Sequence, residues 1–105
     1  MSEGLDRLFA TIAARKSADP ASSYTAKLLA EGVEKCAKKF GEEATETVIA
    51  AISRDKTELA RESADVLYHL LVLWAASGIK PEEVYAVLRA REGRSGLEEK
   101  ASRGP

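Results

Sequence analysis

Residues 42–65 read Glu42-Glu43-Ala44-Thr45-Glu46-Thr47-Val48-Ile49-Ala50-Ala51-Ile52-Ser53-Arg54-Asp55-Lys56-Thr57-Glu58-Leu59-Ala60-Arg61-Glu62-Ser63-Ala64-Asp65, and this stretch decides the fold. Glu43 and Glu46 form one i, i+3 acid pair, and Glu62 and Asp65 form a second, so on a helix both acids of a pair project from one face. Between the pairs lies a short polar break, Ser53-Arg54-Asp55, where two helices can meet as a hairpin. Glu46 lies seven residues before Ser53 and Glu62 seven after Asp55, while Glu43 and Asp65 each lie ten away. With a rise of about 1.5 Å per residue, an antiparallel hairpin sets Glu46 level with Glu62 and Glu43 level with Asp65. Four converging acids repel one another unless a cation sits among them. Hard oxygen donors of this kind suit Mg²⁺, with Mn²⁺ as a substitute.

Outward from the hairpin, the periodicity predicts helices and no strands. A helix from about Val33 to Ser53 carries Val33, Ala37, Phe40, Ala44, Val48, Ala51 and Ile52 on one side. Glu42, Glu43 and Glu46 lie on the other, with Lys35 and Lys39. Asp55 followed by Glu58 has capping-box spacing, so the next helix begins there and runs to about Ser77, stopping at Gly78. Its apolar arc (Leu59, Ala60, Val66, Leu67, Leu70, Leu71, Leu73, Trp74) covers about half the circumference, and such a helix needs cover on more than one side. Glu58, Glu62, Asp65 and His69 form a polar stripe along the remainder.

Nearer the N-terminus, Leu5, Leu8, Phe9, Ile12 and Ala13 follow a helical period, with Ser2 as N-cap and an end near Arg15–Ser17. Ala18-Asp19-Pro20 reads as a turn. Ser22-Ser23 caps a short helix through Leu29, and Gly32 marks a bend or break. Pro81 opens a last helix carrying Val84, Val87 and Leu88 to about Arg91. The segment 92–105 is a polar, glycine-containing tail. The expectation is a single all-α domain over 1–105, a compact bundle of about five helices around a central antiparallel hairpin.

A chain of 105 residues builds only a modest core, which favours shared burial with a second copy and predicts a homodimer. Apolar residues at 45% and charged residues at 31% fit a soluble helical protein. A net charge of −1 argues against a nucleic-acid partner. The single cysteine, Cys36, excludes an internal disulfide, agrees with a reducing compartment and reads as a small buried hydrophobe. With no cationic-then-apolar leader and no apolar run near the ~20 residues of a membrane span, the expected location is the cytoplasm, off the membrane.

Several residues keep two readings. Lys35 and Lys39 can form surface ion pairs with Glu42, Glu43 and Glu46. His69, four residues after Asp65, can hydrogen-bond a carboxylate, contact a phosphate, or satisfy a buried polar neighbour; no second His or Cys completes a zinc set. Tyr24 and Lys27 stay open until a ligand is identified. The tail from Arg91 is either a charged terminus or a glycine-hinged cationic arm for an anion.

The run Gly41-Glu42-Glu43-Ala44-Thr45-Glu46, with fifteen residues between Glu46 and the segment Glu62-Ser63-Ala64-Asp65, resembles the signature of the all-α NTP pyrophosphatase superfamily. Ser23-Tyr24-Thr25, Lys38-Lys39-Phe40-Gly41-Glu42-Glu43, Asp65-Val66-Leu67-Tyr68-His69 and Ser95-Gly96-Leu97-Glu98-Glu99-Lys100 narrow the resemblance to the phosphoribosyl-ATP pyrophosphatases of histidine biosynthesis. The similarity runs from about Leu5 to Arg103. It implies hydrolysis of 1-(5-phosphoribosyl)-ATP to phosphoribosyl-AMP and pyrophosphate with Mg²⁺, in a stand-alone form, since the chain is short and lacks the cysteines of a fused cyclohydrolase. Carried over residue by residue, Glu43, Glu46, Glu62 and Asp65 would hold the metal, and Glu42 and Glu46 would orient or deprotonate water. Lys39 would face the triphosphate. Tyr24, Lys27, His69, Arg91, Arg94, Ser95, Lys100 and Arg103 would complete the substrate side. Two other readings compete: a house-cleaning pyrophosphohydrolase of ordinary or damaged nucleotides, and a non-catalytic helical dimerisation module whose acids are a solvated face.

Overall fold

The computed structural model describes residues 3–93; Ser2 and the tail beyond Gly93 lie outside them. Five α-helices follow one another: α1 (Glu3–Ala14), α2 (Tyr24–Glu31), α3 (Val33–Ile52), α4 (Lys56–Ser77) and α5 (Pro81–Ala90). A single 3₁₀ turn, Arg15–Ser17, closes α1. Among the described residues there is no strand.

Local chemistry sets each boundary. The Ala26 N–H donates to Ser23 Oγ at 3.2 Å and starts α2. Gly32, at φ +96°, separates α2 from α3 in a conformation that a side chain disfavours. The Glu58 N–H donates to Asp55 Oδ1 at 3.0 Å and starts α4. Gly78 ends α4 in the left-handed region, its N–H bonded back to the Ala75 carbonyl at 3.3 Å. Pro81 opens α5, where the Lys80 N–H donates to Glu83 Oε2 at 2.8 Å.

The α3–α4 hairpin is the spine of the molecule and its most extensive interhelical contact. Register is pinned at Thr47, whose hydroxyl lies 2.8 Å from the Glu43 carbonyl and 3.2 Å from the Glu62 carbonyl of the facing helix. This is the level the mirrored acids predict.

The core sits at the end of the hairpin away from its turn, where α1 and α2 cover α4. Ile12, Leu28, Cys36, Leu71, Val72 and Ala75 are buried together, with Leu8, Phe9 and Trp74 packed around them. Cys36 is the small buried hydrophobe expected, its thiol donating to the Leu28 carbonyl at 3.3 Å. Helix α5 is tied on by the Tyr85 hydroxyl, which donates to Asp6 Oδ1 at 3.0 Å. No helix among the described residues is long and apolar enough to cross a membrane.

The apolar arc of α3 is not what faces α4 within the chain. Its buried positions are Cys36 and Ala50, on a flank shared with half-buried Glu43 and Thr47. Val33, Val48 and Ile52, together with Ile49 and with Leu67 of α4, remain exposed in the single chain.

Candidate functional site

Three of the four paired acids converge. One carboxylate oxygen from each of Glu43, Glu62 and Asp65 lies within 4.8 Å of the others. Glu43 projects from α3 and the other two from α4, each placed by its i, i+3 partner and by the Thr47 register. Glu46 stands beside the three, its carboxyl in hydrogen-bond contact with that of Glu43. That contact, followed by partial burial and the Glu46 charge, pushes the Glu43 carboxyl above its usual range.

Glu62 carries an orphaned acceptor. Its Oε2 is buried without a hydrogen-bond partner among the described residues. Desolvation is the main cause that raises its carboxyl above the ordinary value, followed by the charge of Glu46 and contacts with Glu58, Asp65 and Glu43. A buried acceptor facing only other acceptors is unfavourable; a proton or a cation resolves it. Converging hard oxygens with one orphaned acceptor fit a small divalent cation.

Next to the acids, α2 and α3 enclose a depression of about 230 Å³ lined by Tyr24, Lys27, Leu28, Glu31, Lys35, Lys39 and Glu42. Lys39 Nζ pairs with Glu42 Oε1 at 3.1 Å. The pairing holds the Glu42 carboxyl below its usual range and raises the Lys39 ammonium. Glu42 thus faces Lys39, outside the converging triad. The depression gathers Tyr24, Lys27 and Lys39. Lys35, which precedes Lys39 by one turn on the same face of α3, lines it as well.

His69 is buried, with 6% of its surface exposed. Of the readings open for His69, the bond to the Asp65 carboxylate is not among its contacts. Nδ1 lies 2.9 Å from the backbone carbonyl of Asp65, and Nε2 faces the Tyr24 hydroxyl at 3.5 Å. These contacts satisfy the buried imidazole itself, through a backbone carbonyl and the hydroxyl of an exposed tyrosine. Beside it Tyr68 hydrogen-bonds Thr25 of α2 and packs edge-on against the imidazole. Arg91 lies elsewhere, lining an apolar groove with Ile79, Glu83, Val84, Val87 and Leu88 on α5. Arg94, Ser95, Lys100 and Arg103 lie outside the described residues.

Fold and site together define an all-α protein whose central hairpin presents clustered carboxylates beside a lysine-lined depression, a pairing suited to a polyphosphate and a divalent cation. The family model described as phosphoribosyl-ATP pyrophosphohydrolase matches residues 5–92, and the chain belongs to that family. It is 68% identical to the phosphoribosyl-ATP pyrophosphatase of Parvibaculum lavamentivorans over 100 residues, covering 95% of this chain and 92% of that protein. The like-named protein of Cereibacter sphaeroides is 64% identical, with 95% and 97% covered. That of Paramagnetospirillum magneticum is 60% identical over 99 residues, with 94% and 91% covered.

Proposed function

We propose that this chain hydrolyses 1-(5-phosphoribosyl)-ATP to phosphoribosyl-AMP and pyrophosphate, the second step of histidine biosynthesis, in the cytoplasm. The observation that carries the reading is the convergence of Glu43, Glu62 and Asp65 beside the lysine-lined depression, in a member of this family.

Glu43, Glu46, Glu62 and Asp65 are the residues that would hold Mg²⁺ or Mn²⁺, and Glu62 Oε2 is the acceptor most in need of it. Bound there, the cation supplies charge neutralisation for the phosphate oxygens and for the departing pyrophosphate. The chain's own groups do the rest. Lys27, Lys35 and Lys39 donate charge-assisted hydrogen bonds to phosphate oxygens. Glu42 holds Lys39 in place through the ion pair, a different part from orienting water. Glu46, exposed beside Glu43, is then the carboxylate positioned to align water and accept its proton. No covalent nucleophile is required. Roles for Arg91, Arg94, Ser95, Lys100 and Arg103 rest on the resemblance alone. The exposed apolar arc of α3 supports a homodimer in which each hairpin covers the other.

A coupled pyrophosphate-release assay on enzymatically made phosphoribosyl-ATP tests the reading. Mg²⁺-dependent release, with little turnover of dNTPs, is the expected result. Equal turnover of dNTPs would move the protein to the house-cleaning class. Titration calorimetry showing no defined Mg²⁺ or Mn²⁺ stoichiometry would return the acids to a solvated face.

A further inference from the structure

The hydrogen-bond direction at Tyr24 is set from inside the fold. A carbonyl oxygen only accepts, so the 2.9 Å contact between His69 Nδ1 and the Asp65 carbonyl places the imidazole proton on Nδ1. In the neutral ring Nε2 is then left with a lone pair. The Tyr24 hydroxyl, 3.5 Å from Nε2, therefore turns its single proton inward. The arrangement is held sterically as well. Tyr68 meets the imidazole edge-on at 4.9 Å and Tyr24 does so at 6.3 Å, and His69 is itself buried.

Tyr24 itself is 53% exposed and lines the lysine depression. Burial raises its phenol above the ordinary value, with Lys39 opposing, so the hydroxyl stays protonated. What it offers outward is lone pairs alone. Phosphate oxygens are acceptors too and gain nothing from it, while the three lysines already supply donors for them. The donors that a nucleotide carries next to its phosphates are its sugar hydroxyls.

We propose that Tyr24 is a specificity-determining residue that accepts a hydrogen bond from a sugar hydroxyl, and that His69 is the positioning residue fixing this polarity. The inference rests on the reading of this site as one for a nucleotide.

The chain has one histidine, so a long-range ¹H–¹⁵N spectrum of the neutral imidazole shows a single ring. Protonated Nδ1 with bare Nε2 is expected, and the opposite tautomer overturns the proposal. Calorimetry with Mg²⁺ then compares ATP with 2′,3′-dideoxy-ATP, which share base and phosphates. The wild-type protein prefers ATP by about three- to tenfold, the worth of one hydrogen bond. Tyr24→Phe and His69→Phe abolish the preference while leaving dideoxy-ATP affinity within about twofold. His69→Gln, whose amide can donate to Asp65 and accept from Tyr24, restores it. Equal weakening of both nucleotides by Tyr24→Phe, a wild-type protein without the preference, or binding of neither probe overturns the proposal. Because these readouts need no turnover, a protein that keeps the ATP preference yet releases no pyrophosphate refutes the proposed function and not this inference.

Discussion

At Glu62, desolvation and four neighbouring acids act in the same direction, holding the carboxyl above the ordinary glutamate value of 4.5. A carboxyl raised in the folded state binds its proton more tightly there than in the unfolded chain. Its contribution to stability is therefore fully present below pH 4.5 and lost as pH rises through the folded value. Without divalent cation, Glu62→Gln should melt above the wild type at pH 7, and the difference should shrink toward pH 4.5; Mg²⁺ should stabilise the wild type alone. Thermal scans at several pH values, with EDTA and with Mg²⁺, check this. Glu62→Ala and Asp65→Ala should each lower pyrophosphate release by about a hundredfold or more, with native helix content by circular dichroism. Lys39→Ala should raise KM by roughly tenfold while Mg²⁺ binding changes less than twofold, since an ammonium cannot ligate a cation. The acids were legible in the sequence because i, i+3 spacing fixes their face whatever packs around them. The setting of His69 was not: its partner Tyr24 lies 45 residues earlier, on a helix whose docking no local pattern encodes. Lys35 read only as a surface ion-pair partner, because one lysine in a helix looks like any surface cation until α2 closes a depression over it.

Helix boundaries were legible because caps are local chemistry. Ser23, Gly32, Asp55, Gly78 and Pro81 each start or stop a helix within a residue or two of the expected place. The hairpin turn is the most demanding of these sites. Arg54 holds φ +60°, a left-handed conformation that a β-carbon disfavours by about 1–2 kcal/mol. Glycine removes that strain but has more freedom to lose on folding, so Arg54→Gly should stabilise by a net ~0.5–1 kcal/mol. Asp55→Ala should act oppositely, costing about 1 kcal/mol through the lost bond to the Glu58 N–H. For a domain of this size, 1 kcal/mol corresponds to a shift of roughly 4–8 °C in Tm. Both substitutions are far from the acids along the hairpin, so differential scanning calorimetry should separate them while pyrophosphate release changes little. Which flank of α3 faces α4 was less legible. The sequence marks an apolar arc, but the facing positions include Glu43 and Thr47, because the site itself occupies the seam between the helices.

For the whole molecule, that displacement leaves α3 with an apolar surface that its own chain does not cover. Ile52 is 75% exposed, Ile49 58% and Val48 56%, all toward the turn end of the hairpin. The buried core lies at the other end. Scattered apolar side chains on a surface need no explanation, but β-branched residues grouped along one helix face, with Val33 and Leu67 also exposed, form a patch that water solvates poorly. A second copy can cover it through a two-fold contact of hairpin on hairpin, turning two half-covered pairs into a four-helix core. The expected state is a dimer across a wide concentration range by sedimentation equilibrium. Val48→Glu and Ile52→Glu should each weaken association by about a hundredfold or more, since an unpaired carboxylate would be desolvated in the contact. Neither residue belongs to the acidic cluster or the lysine depression, so a change in activity on dissociation would report dependence of the site on the partner chain. A well-folded wild-type monomer at micromolar concentration would defeat the argument. A tetramer would preserve it, because the same patch would still be covered and only the number of copies would differ.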